Sequence, residues 1–207
     1  MRQEVSLGPD ERVAGRPFTD PEHSTRDEQR LRQLLAFQRA RAAAWSASGP
    51  PAPRHVVSED ADGDGLRHLL VVPDVEALLA AESPTVVGFF GRPRADADLP
   101  LLFKLEEQLV AGMAEAAELL SYYDVELVKG EYGNLILFAS PEGPRLWRKN
   151  AVHARAVEIS PASYHEIRLH QGDLSGRFLG EGTLRLTRTR YIDYGGEEPW
   201  YGVRRVS

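Results

Sequence analysis

A row of polar side chains at residues 164–170 supplies the residue types needed for proton transfer. The row consists of Tyr164, Glu166, Arg168 and His170. These residues alternate with mostly apolar ones, which is the period-two pattern of a β-strand with one polar face. His170 is the predicted base, with Arg168 and Glu166 as catalytic partners, because an imidazole with a pKa of about 6.5 titrates nearest neutral pH. Simple exposure on a solvated sheet face explains the row equally well.

Two further segments carry polar residues with the same alternation and would complete a cavity with this row. They are Tyr122, Asp124 and Glu126 in a predicted hairpin, and Arg188 and Arg190 in the predicted final strand. If the helices cover one sheet face, all of these side chains point to the opposite face, where they would bind a polar ligand. A register slip of one residue would turn each row around. Ion pairs on a wet surface are the alternative.

A third candidate group lies on a predicted helix. Trp147, Asn150 and His153 are three residues apart, so they form one stripe and are predicted to contact a ligand. The alternative is a tryptophan that packs in the core beside a histidine that is merely hydrogen-bonded, because an isolated histidine lacks the geometry of a ligand set.

An aspartate-rich loop resembles the opening of an EF-hand calcium loop. Asp60, Asp62, Asp64 and Gly65 fit its first positions, where oxygens alternate around the ion. The twelfth position is Val71, which cannot supply the bidentate carboxylate, and the flanking residues favour strands. We therefore predict a solvated hairpin loop and no metal site.

The composition narrows the classes of function. The 207-residue chain has a net charge of −6, which argues against a general nucleic-acid binder, since such proteins need a basic surface. It contains no cysteine, which excludes disulfides and thiolate chemistry. No apolar run is long enough to span a membrane, and no secretory signal is visible, so a cytoplasmic location is expected. Walker-type, Gly-x-Ser-x-Gly and His-Glu-x-x-His motifs are absent.

Hydrophobic periodicity predicts the main elements. Helices are expected at residues 26–46, 99–119 and 145–159, the first capped by Thr25 and the last ended by Pro161. Residues 119–138 predict a β-hairpin near the centre of a sheet. Further strands are expected at 55–57, 67–72, 85–90, 164–170 and 183–194, a short helix at 73–81, and an irregular tail after residue 194.

The order helix, strand, strand, helix, strand occurs twice, in residues 26–90 and 99–170. It predicts an α+β fold in which antiparallel sheet carries helices on one face, a ferredoxin-like arrangement present as a tandem pair. The predicted divisions are a polar N-terminal arm at 1–23, a first unit at 24–91, and a second unit with a C-terminal extension at 92–207.

Residues 85–194 resemble the dimeric α/β-barrel superfamily, which includes antibiotic-biosynthesis-type monooxygenases, haem-degrading oxygenases and chlorite dismutase-like proteins. The resemblance rests on the element order and on the helix at 145–159. In haem-degrading members a tryptophan and a following histidine on the second helix serve the haem, and Trp147 and His153 would take those parts. The first-strand asparagine of that group has no counterpart in residues 85–90. We therefore expect no cofactor, with haem as the alternative.

Two functions are compatible with these patterns. The first is a cytoplasmic protein with a small-molecule pocket between sheet and helices, similar to the cofactor-independent monooxygenases and holding an aromatic or acidic ligand. The second is a non-catalytic interaction or regulatory protein whose polar sheet face is a subunit interface, as in a homodimer. Neither a nucleic acid nor a membrane is an expected partner.

Overall fold

The protein is an α+β structure built on one mixed sheet. The computed structural model describes residues 4–49, 55–59, 67–127, 130–180 and 182–206, with 55–59 described by their backbone alone. The strands are β1 (Glu4–Leu7), β2 (His55–Glu59), β3 (Arg67–Val71), β4 (Thr85–Pro93), β5 (Leu119–Glu126), β6 (Tyr132–Phe138), β7 (Tyr164–Ser175), β8 (Thr183–Asp193) and β9 (Trp200–Arg205). The helices are α1 (Pro21–Ser48), α2 (Val75–Ala80), α3 (Leu99–Gly112), α4 (Gly143–Trp147) and α5 (Ala151–Ser163).

The nine described strands are hydrogen-bonded in the order β1-β9-β8-β7-β4-β6-β5-β3-β2. Within these residues β1 is parallel to β9, and the other neighbouring pairs are antiparallel. The prediction of a purely antiparallel sheet is therefore wrong. A tight turn forces neighbouring strands to be antiparallel, but β1 and β9 come from opposite ends of the chain and no such turn joins them.

The two predicted units share this sheet. Their predicted boundary at residues 91 and 92 falls inside β4, which pairs with β6 on one side and with β7 on the other. The β2–β3 hairpin extends the edge beside β5 and does not build a sheet of its own. In the described residues there is thus one sheet, not the predicted tandem pair.

Helices cover both faces of the sheet, whereas the sequence predicted one covered face. α1 packs through Leu31 and Leu35 on the side that we call the α1 face, where Leu137 lies. α3 and α4 cover the opposite side, the α3 face, where Trp147 packs with Ile136. β6 carries apolar side chains on both faces, so a helix must cover each face to shield these side chains from water.

Gly88 allows α1 to lie directly on β4. A Cβ at this position would come within 2.7 Å of Cδ1 of Leu31, closer than real side chains approach. Leu31 is fully buried by this contact. Burial of a leucine side chain contributes about 1.5–3 kcal/mol, so the close approach helps to fix the helix on the sheet.

Two helix boundaries differ from the predictions for reasons of capping. α1 begins at Pro21, because the Asp20 carboxylate accepts a hydrogen bond from the Glu22 amide at 3.0 Å, so Thr25 is not its cap. The predicted helix at 99–119 ends as an α-helix at Gly112 and continues as a 3-10 turn over Met113–Glu115.

The predicted helix at 145–159 is divided into α4 and α5. The Asn150 side chain accepts hydrogen bonds from the amides of Val152 and His153 at 2.9 and 3.1 Å, and thereby starts α5. Pro161 lies inside α5 and does not end it. No helix in the described ranges combines the length and the apolarity needed to cross a bilayer.

Both ends of the described chain are part of the sheet. The predicted polar arm contains β1, and residues 21–23 belong to α1; the predicted irregular tail contains β9. Arg204, which is 4% exposed, donates hydrogen bonds to the carbonyls of Gly8 and Thr19 at 3.1 and 2.8 Å and to the Tyr191 hydroxyl at 2.5 Å. One buried guanidinium therefore holds the N-terminal segment against the last two strands.

A buried ion pair attaches α1 to β7. Arg168 donates from Nε and Nη2 to the two carboxylate oxygens of Asp27, at 2.6 and 3.0 Å. Nε2 of His170 lies 2.9 Å from Asp27 Oδ2, and its Nδ1 lies 2.9 Å from the Thr189 hydroxyl. Asp27, Arg168 and His170 are 5%, 2% and 0% exposed, so the network lies away from solvent.

Burial by itself would raise the pKa of Asp27. The hydrogen bonds from His170 and Arg168 and the charge of Arg168 outweigh burial, and the pKa is lowered. The carboxylate consequently stabilises the folded state above the pKa of the unfolded chain, about 4, and loses this contribution as the pH falls through its lowered value.

We expect Asp27→Ala to lower the free energy of unfolding by about 3–5 kcal/mol at neutral pH, because the buried Arg168 loses both of its hydrogen bonds to a carboxylate and keeps only the more distant Glu166 and Glu131, at 3.7 and 3.9 Å. Urea denaturation followed by tryptophan fluorescence measures the change. The control is Glu82→Ala, which breaks an exposed pair with Arg177 and should cost less than about 1 kcal/mol. Equal losses of stability in the two variants would contradict the assigned role of Asp27. The role would also be contradicted if the loss caused by Asp27→Ala did not become smaller below about pH 4.

Candidate functional site

A cavity of about 510 Å³ lies between the α3 face of the sheet and the helices α3, α4 and α5. Apolar side chains from both layers form most of its wall. Those from the strands are Val87, Phe89, Ile136, Phe138, Ile167, Leu169 and Ile192, and those from the helices include Leu102, Leu105, Leu109 and Trp147. A cavity of this size with a mostly apolar wall is typical of a small-molecule site.

Three charged residues meet at one part of this wall. Arg67 on β3 donates from Nη2 to Glu106 Oε2 on α3 at 2.6 Å, and its Nη1 lies 3.7 Å from Asp124 Oδ2 on β5. Asn134 stands directly opposite Asp124 in the β5–β6 register and also lines the cavity. The sheet and the helical layer therefore each contribute one carboxyl group to the same polar patch. We call these two groups, Asp124 and Glu106, the carboxyl pair.

Burial raises the pKa of Asp124 well above its usual range, and the neighbouring charge of Glu106 raises it further. Arg67 and a hydrogen bond with Asn134 act in the opposite direction but do not overcome these effects. Asp124 therefore keeps its proton to a higher pH than a free aspartic acid does, beside a Glu106 that is paired with Arg67. Such a group can donate a hydrogen bond to a ligand, which a carboxylate cannot.

Two tyrosines add neutral donors to the wall. Tyr122 and Tyr164 both line the cavity, and burial raises the pKa of each phenol above 10. Tyr164 packs edge-on against Phe89, with ring centroids 5.5 Å apart, which orients both rings. The hydroxyl groups remain protonated at neutral pH and are available to a polar ligand atom.

Trp147 and His153 contribute from the helical layer. Their ring centroids are 5.7 Å apart, and both line the cavity. Burial lowers the pKa of His153, with a smaller effect from Arg148, so the imidazole is neutral near pH 7. Its Nδ1 is buried and has no hydrogen-bond partner among the described residues. A buried polar atom of this kind is a natural contact for a ligand.

The structure brings together six of the residues predicted for the site and separates the other six. Lining the cavity are Tyr122, Asp124, Tyr164, Arg190, Trp147 and His153. Outside it are Glu126, Glu166, Arg168, His170, Arg188 and Asn150. The predicted convergence of the carboxylate, arginine and histidine rows on one face is therefore wrong. The cavity also lies beneath helices, not on a face that points away from them.

A β-bulge in β7 separates Tyr164 from the predicted catalytic residues. Pro93 faces Tyr164 whereas Arg92 faces Glu166, so residue 165 is an extra residue in the ladder. Tyr164 consequently points into the cavity, while Glu166, Arg168 and His170 point to the α1 face. Arg168 and His170 bind Asp27 there, and Glu166 pairs with Arg92 at 2.9 Å.

A second bulge separates the final arginines from the leucines that precede them. Arg188 faces Gln171 and Leu186 faces Gly172, which leaves residue 187 unpaired in the register. The bulge turns Arg190 towards the cavity, where it also pairs with Glu4 at 2.7 Å. Arg188 lies in a separate shallow pocket with residues of β1 and β9.

The remaining two residues have other positions. Asn150 caps α5 and does not line the cavity. Glu126 shares the parity of Asp124 but lies one step beyond the cavity, towards the end of β5.

The sequence interpretation missed Arg67, Glu106, Tyr132 and Asn134, all of which line the cavity. Glu106 left a detectable signal. It lies four residues after Leu102 and three before Leu109, so it belongs to the apolar stripe of α3, where a carboxylate needs a partner.

Metal binding has no support in the described part of the chain. No group of three or more histidine, aspartate or glutamate side chains there is placed to hold an ion. His153 lines the cavity, whereas His170 lies on the α1 face. The aspartate-rich loop at residues 60–66 lies outside the described residues.

Comparison with known proteins does not assign a family. No protein-family model matches the chain, and no curated protein does. One similar crystal structure is NE2512, a protein of unknown function from Nitrosomonas europaea, with a TM-score of 0.39, 8% identity, and coverage of 44% of this chain and 89% of that one. Another is LmHde, a heme-degrading enzyme from Listeria monocytogenes, with a TM-score of 0.35, 13% identity, and coverage of 42% and 60%. The match thus spans less than two thirds of the LmHde chain.

We expect Asp124→Asn to become more stable relative to the parent protein as the pH rises above about 4. With a raised pKa the folded state retains a proton that the unfolded chain has released, so the stabilising contribution is complete at low pH. This contribution is lost as the pH rises towards the pKa of Asp124 in the folded protein. Asparagine does not ionise and escapes this loss.

Urea denaturation at a series of pH values measures the difference. Glu126→Gln, two residues further along the same strand and outside the cavity, is the matched control. A gain of equal size in the control, or no change in the difference with pH, would show that Asp124 is not held as a neutral acid.

Proposed function

We propose that this protein binds a largely apolar, aromatic small molecule in the cavity beneath α3, α4 and α5. The observation that carries the proposal is the cavity of about 510 Å³, which is partly open to solvent and has the carboxyl pair in a mostly apolar wall. Ligand sites typically measure about 300–1,000 Å³ and combine apolar surface with a few polar groups that fix orientation.

The rings in the wall favour an aromatic ligand. Phe89, Phe138, Tyr122, Tyr164 and Trp147 line the space from two layers. Aromatic pairs in edge-on or offset contact contribute about 0.5–1.5 kcal/mol beyond the area that they bury. A flat ligand between sheet and helices would contact several of these rings.

The charges in the wall favour a neutral or cationic polar group on that ligand. Of the three charged groups in the polar patch, two are carboxyls, and Arg67 is already bonded to one of them. Arg190 is paired with Glu4. Arg148 also lines the cavity, but it is exposed on the helical layer and is not one of the three groups of the polar patch. An anionic group at the polar patch would therefore meet carboxyls and a cation that is already paired, and of the aromatic and acidic ligands expected from the sequence we favour the aromatic one.

We also propose that β4, α3, β5, β6, α5 and β7 form a ferredoxin-like unit. The adjacent order β7-β4-β6-β5 with antiparallel pairing supports this proposal. Both faces of these strands carry helices, so the alternative of a subunit interface on a bare sheet face loses its basis. A homodimer stays a prediction, which light scattering can test.

Haem, the alternative ligand from the family resemblance, fits the cavity poorly. His153 is the histidine among the described lining residues and offers a free buried Nδ1. The two anionic propionates of a haem would, however, enter a site that already holds the carboxyl pair and whose Arg67 is engaged. We therefore derive no chemistry through haem, and oxygenase-type activity stays a prediction.

Three naphthalene probes that differ in one substituent test the proposed ligand class. Naphthalene-1-methanol and naphthalene-1-methylamine should bind with a Kd at least about tenfold lower than naphthalene-1-carboxylic acid, which corresponds to about 1.4 kcal/mol. Isothermal titration calorimetry measures all three, and absorbance with added haemin tests the alternative.

The site is located by a matched pair of substitutions. Leu169→Trp fills the cavity and should abolish binding of the methanol and methylamine probes. Leu179→Trp makes the same change at an exposed position outside the cavity and should leave binding intact. If no probe binds, or if both variants bind equally, the proposed site is wrong.

A further inference from the structure

We propose that the carboxyl pair, Asp124 and Glu106, is an acid–base centre that enolises a ketone bound in the cavity. The inference rests on the proposed function, since it needs a ligand that is held beneath α3. It goes further by assigning a reaction, two catalytic residues and a class of substrate, namely aromatic ketones with a hydrogen on the carbon beside the carbonyl.

The pair reaches the cavity from two sides. Asp124 projects from β5 on the sheet, and Glu106 projects from α3 in the helical layer. Enolisation requires an acid at the carbonyl oxygen and a base at the neighbouring carbon. Two carboxyls that reach one patch of the wall from different layers can contact the carbonyl oxygen and the neighbouring carbon of a ligand that lies against this patch.

The surroundings assign different tasks to the two groups. Asp124 is 7% exposed, and the same Arg67 guanidinium contacts both it and Glu106, so the two carboxyls lie close together and a state with only one of them charged is favoured. Arg67 donates to Glu106 at 2.6 Å and is 3.7 Å from Asp124, so the closer ion pair stabilises the charge on Glu106. Asp124 is thus the proton donor and Glu106 the base. Pairs of carboxyls whose environments favour different protonation states are a recurring arrangement for acid and base.

The step balances without a further reactant. The ketone oxygen accepts a hydrogen bond from the Asp124 carboxyl. The Glu106 carboxylate removes a proton from the adjacent carbon, the C–H electron pair forms the C=C bond, and the C=O π pair moves to oxygen, which takes the Asp124 proton. In the reverse direction the Asp124 carboxylate recovers the proton from the enol and Glu106 returns a proton to carbon. In D₂O the Glu106 carboxyl exchanges its proton with the solvent before this return, so deuterium is added to the carbon.

Hydrogen–deuterium exchange of 1-tetralone tests the inference. In D₂O the protein should accelerate exchange of the one hydrogen that faces Glu106 on the carbon beside the carbonyl, so the proton NMR signal of that carbon falls towards half. Glu106→Gln should lose at least about 100-fold of this acceleration, the lower end of what a general base contributes. Asp124→Asn should lose at least about tenfold, because an amide does not donate a full proton. Glu107→Gln, the next residue on α3 and outside the cavity, should retain the parent rate.

Binding measurements separate the possible failures. If Glu106→Gln still binds naphthalene-1-methanol but does not exchange 1-tetralone, the catalytic assignment is supported and misfolding is excluded. If the parent binds the naphthalene probes but does not bind or does not exchange 1-tetralone, the inference is overturned while the proposed function stands. If no probe binds, both fail. Exchange that is lost equally in Glu107→Gln would also overturn the assignment.

Discussion

The bond between Asp27 and Arg168 determines how this chain divides its two sheet faces. It buries a carboxylate and a guanidinium together at the centre of the α1 face, where neither would be tolerated alone. With α1 fixed there, the polar side chains on one face of β7 hold the helix on the sheet. The side chains on the other face, Ile167 and Leu169, line the cavity. Packing of Leu31 over Gly88 strengthens the same arrangement from the apolar side.

The cavity follows from the different covers of the two faces. On the α1 face the long helix α1 lies directly on β4 at Gly88, and α2 packs in the same cluster through Leu78. On the α3 face the helices α3, α4 and α5 cover the cavity, and α4 and α5 are separated at the Asn150 cap. Burial in this space raises the pKa of the Asp124 carboxyl and of the Tyr122 and Tyr164 hydroxyls. The same exclusion of water that builds the fold therefore sets the charge state of the site.

The existence of the main elements could be predicted from the sequence, because each has a strong local signal. α1 and α3 have apolar stripes, and the β5–β6 hairpin has alternating and continuous apolar runs around a glycine-containing turn. The side of the sheet that each strand residue faces could not be predicted. Parity is lost at residues 165 and 187, where extra residues enter β7 and β8, and no local pattern marks either bulge. Arg67 and Glu106 meet only through pairing between distant segments, so their ion pair was not visible in either segment alone. β9 was missed because its partners are β8 and the distant β1.

The bulge at residue 165 places Tyr164 on the same side of β7 as Ile167 and Leu169, although its even-numbered neighbours point to the α1 face. Residues 166–173 pair with β4 without interruption, so the faces of Arg168 and His170 are fixed by that ladder and not by the bulge. Removal of residue 165 would therefore leave the contacts with Asp27 in place and turn the Tyr164 ring away from the cavity. One inserted residue thus places an aromatic hydroxyl in the wall of the cavity without disturbing the ion pair on the other side of the same strand.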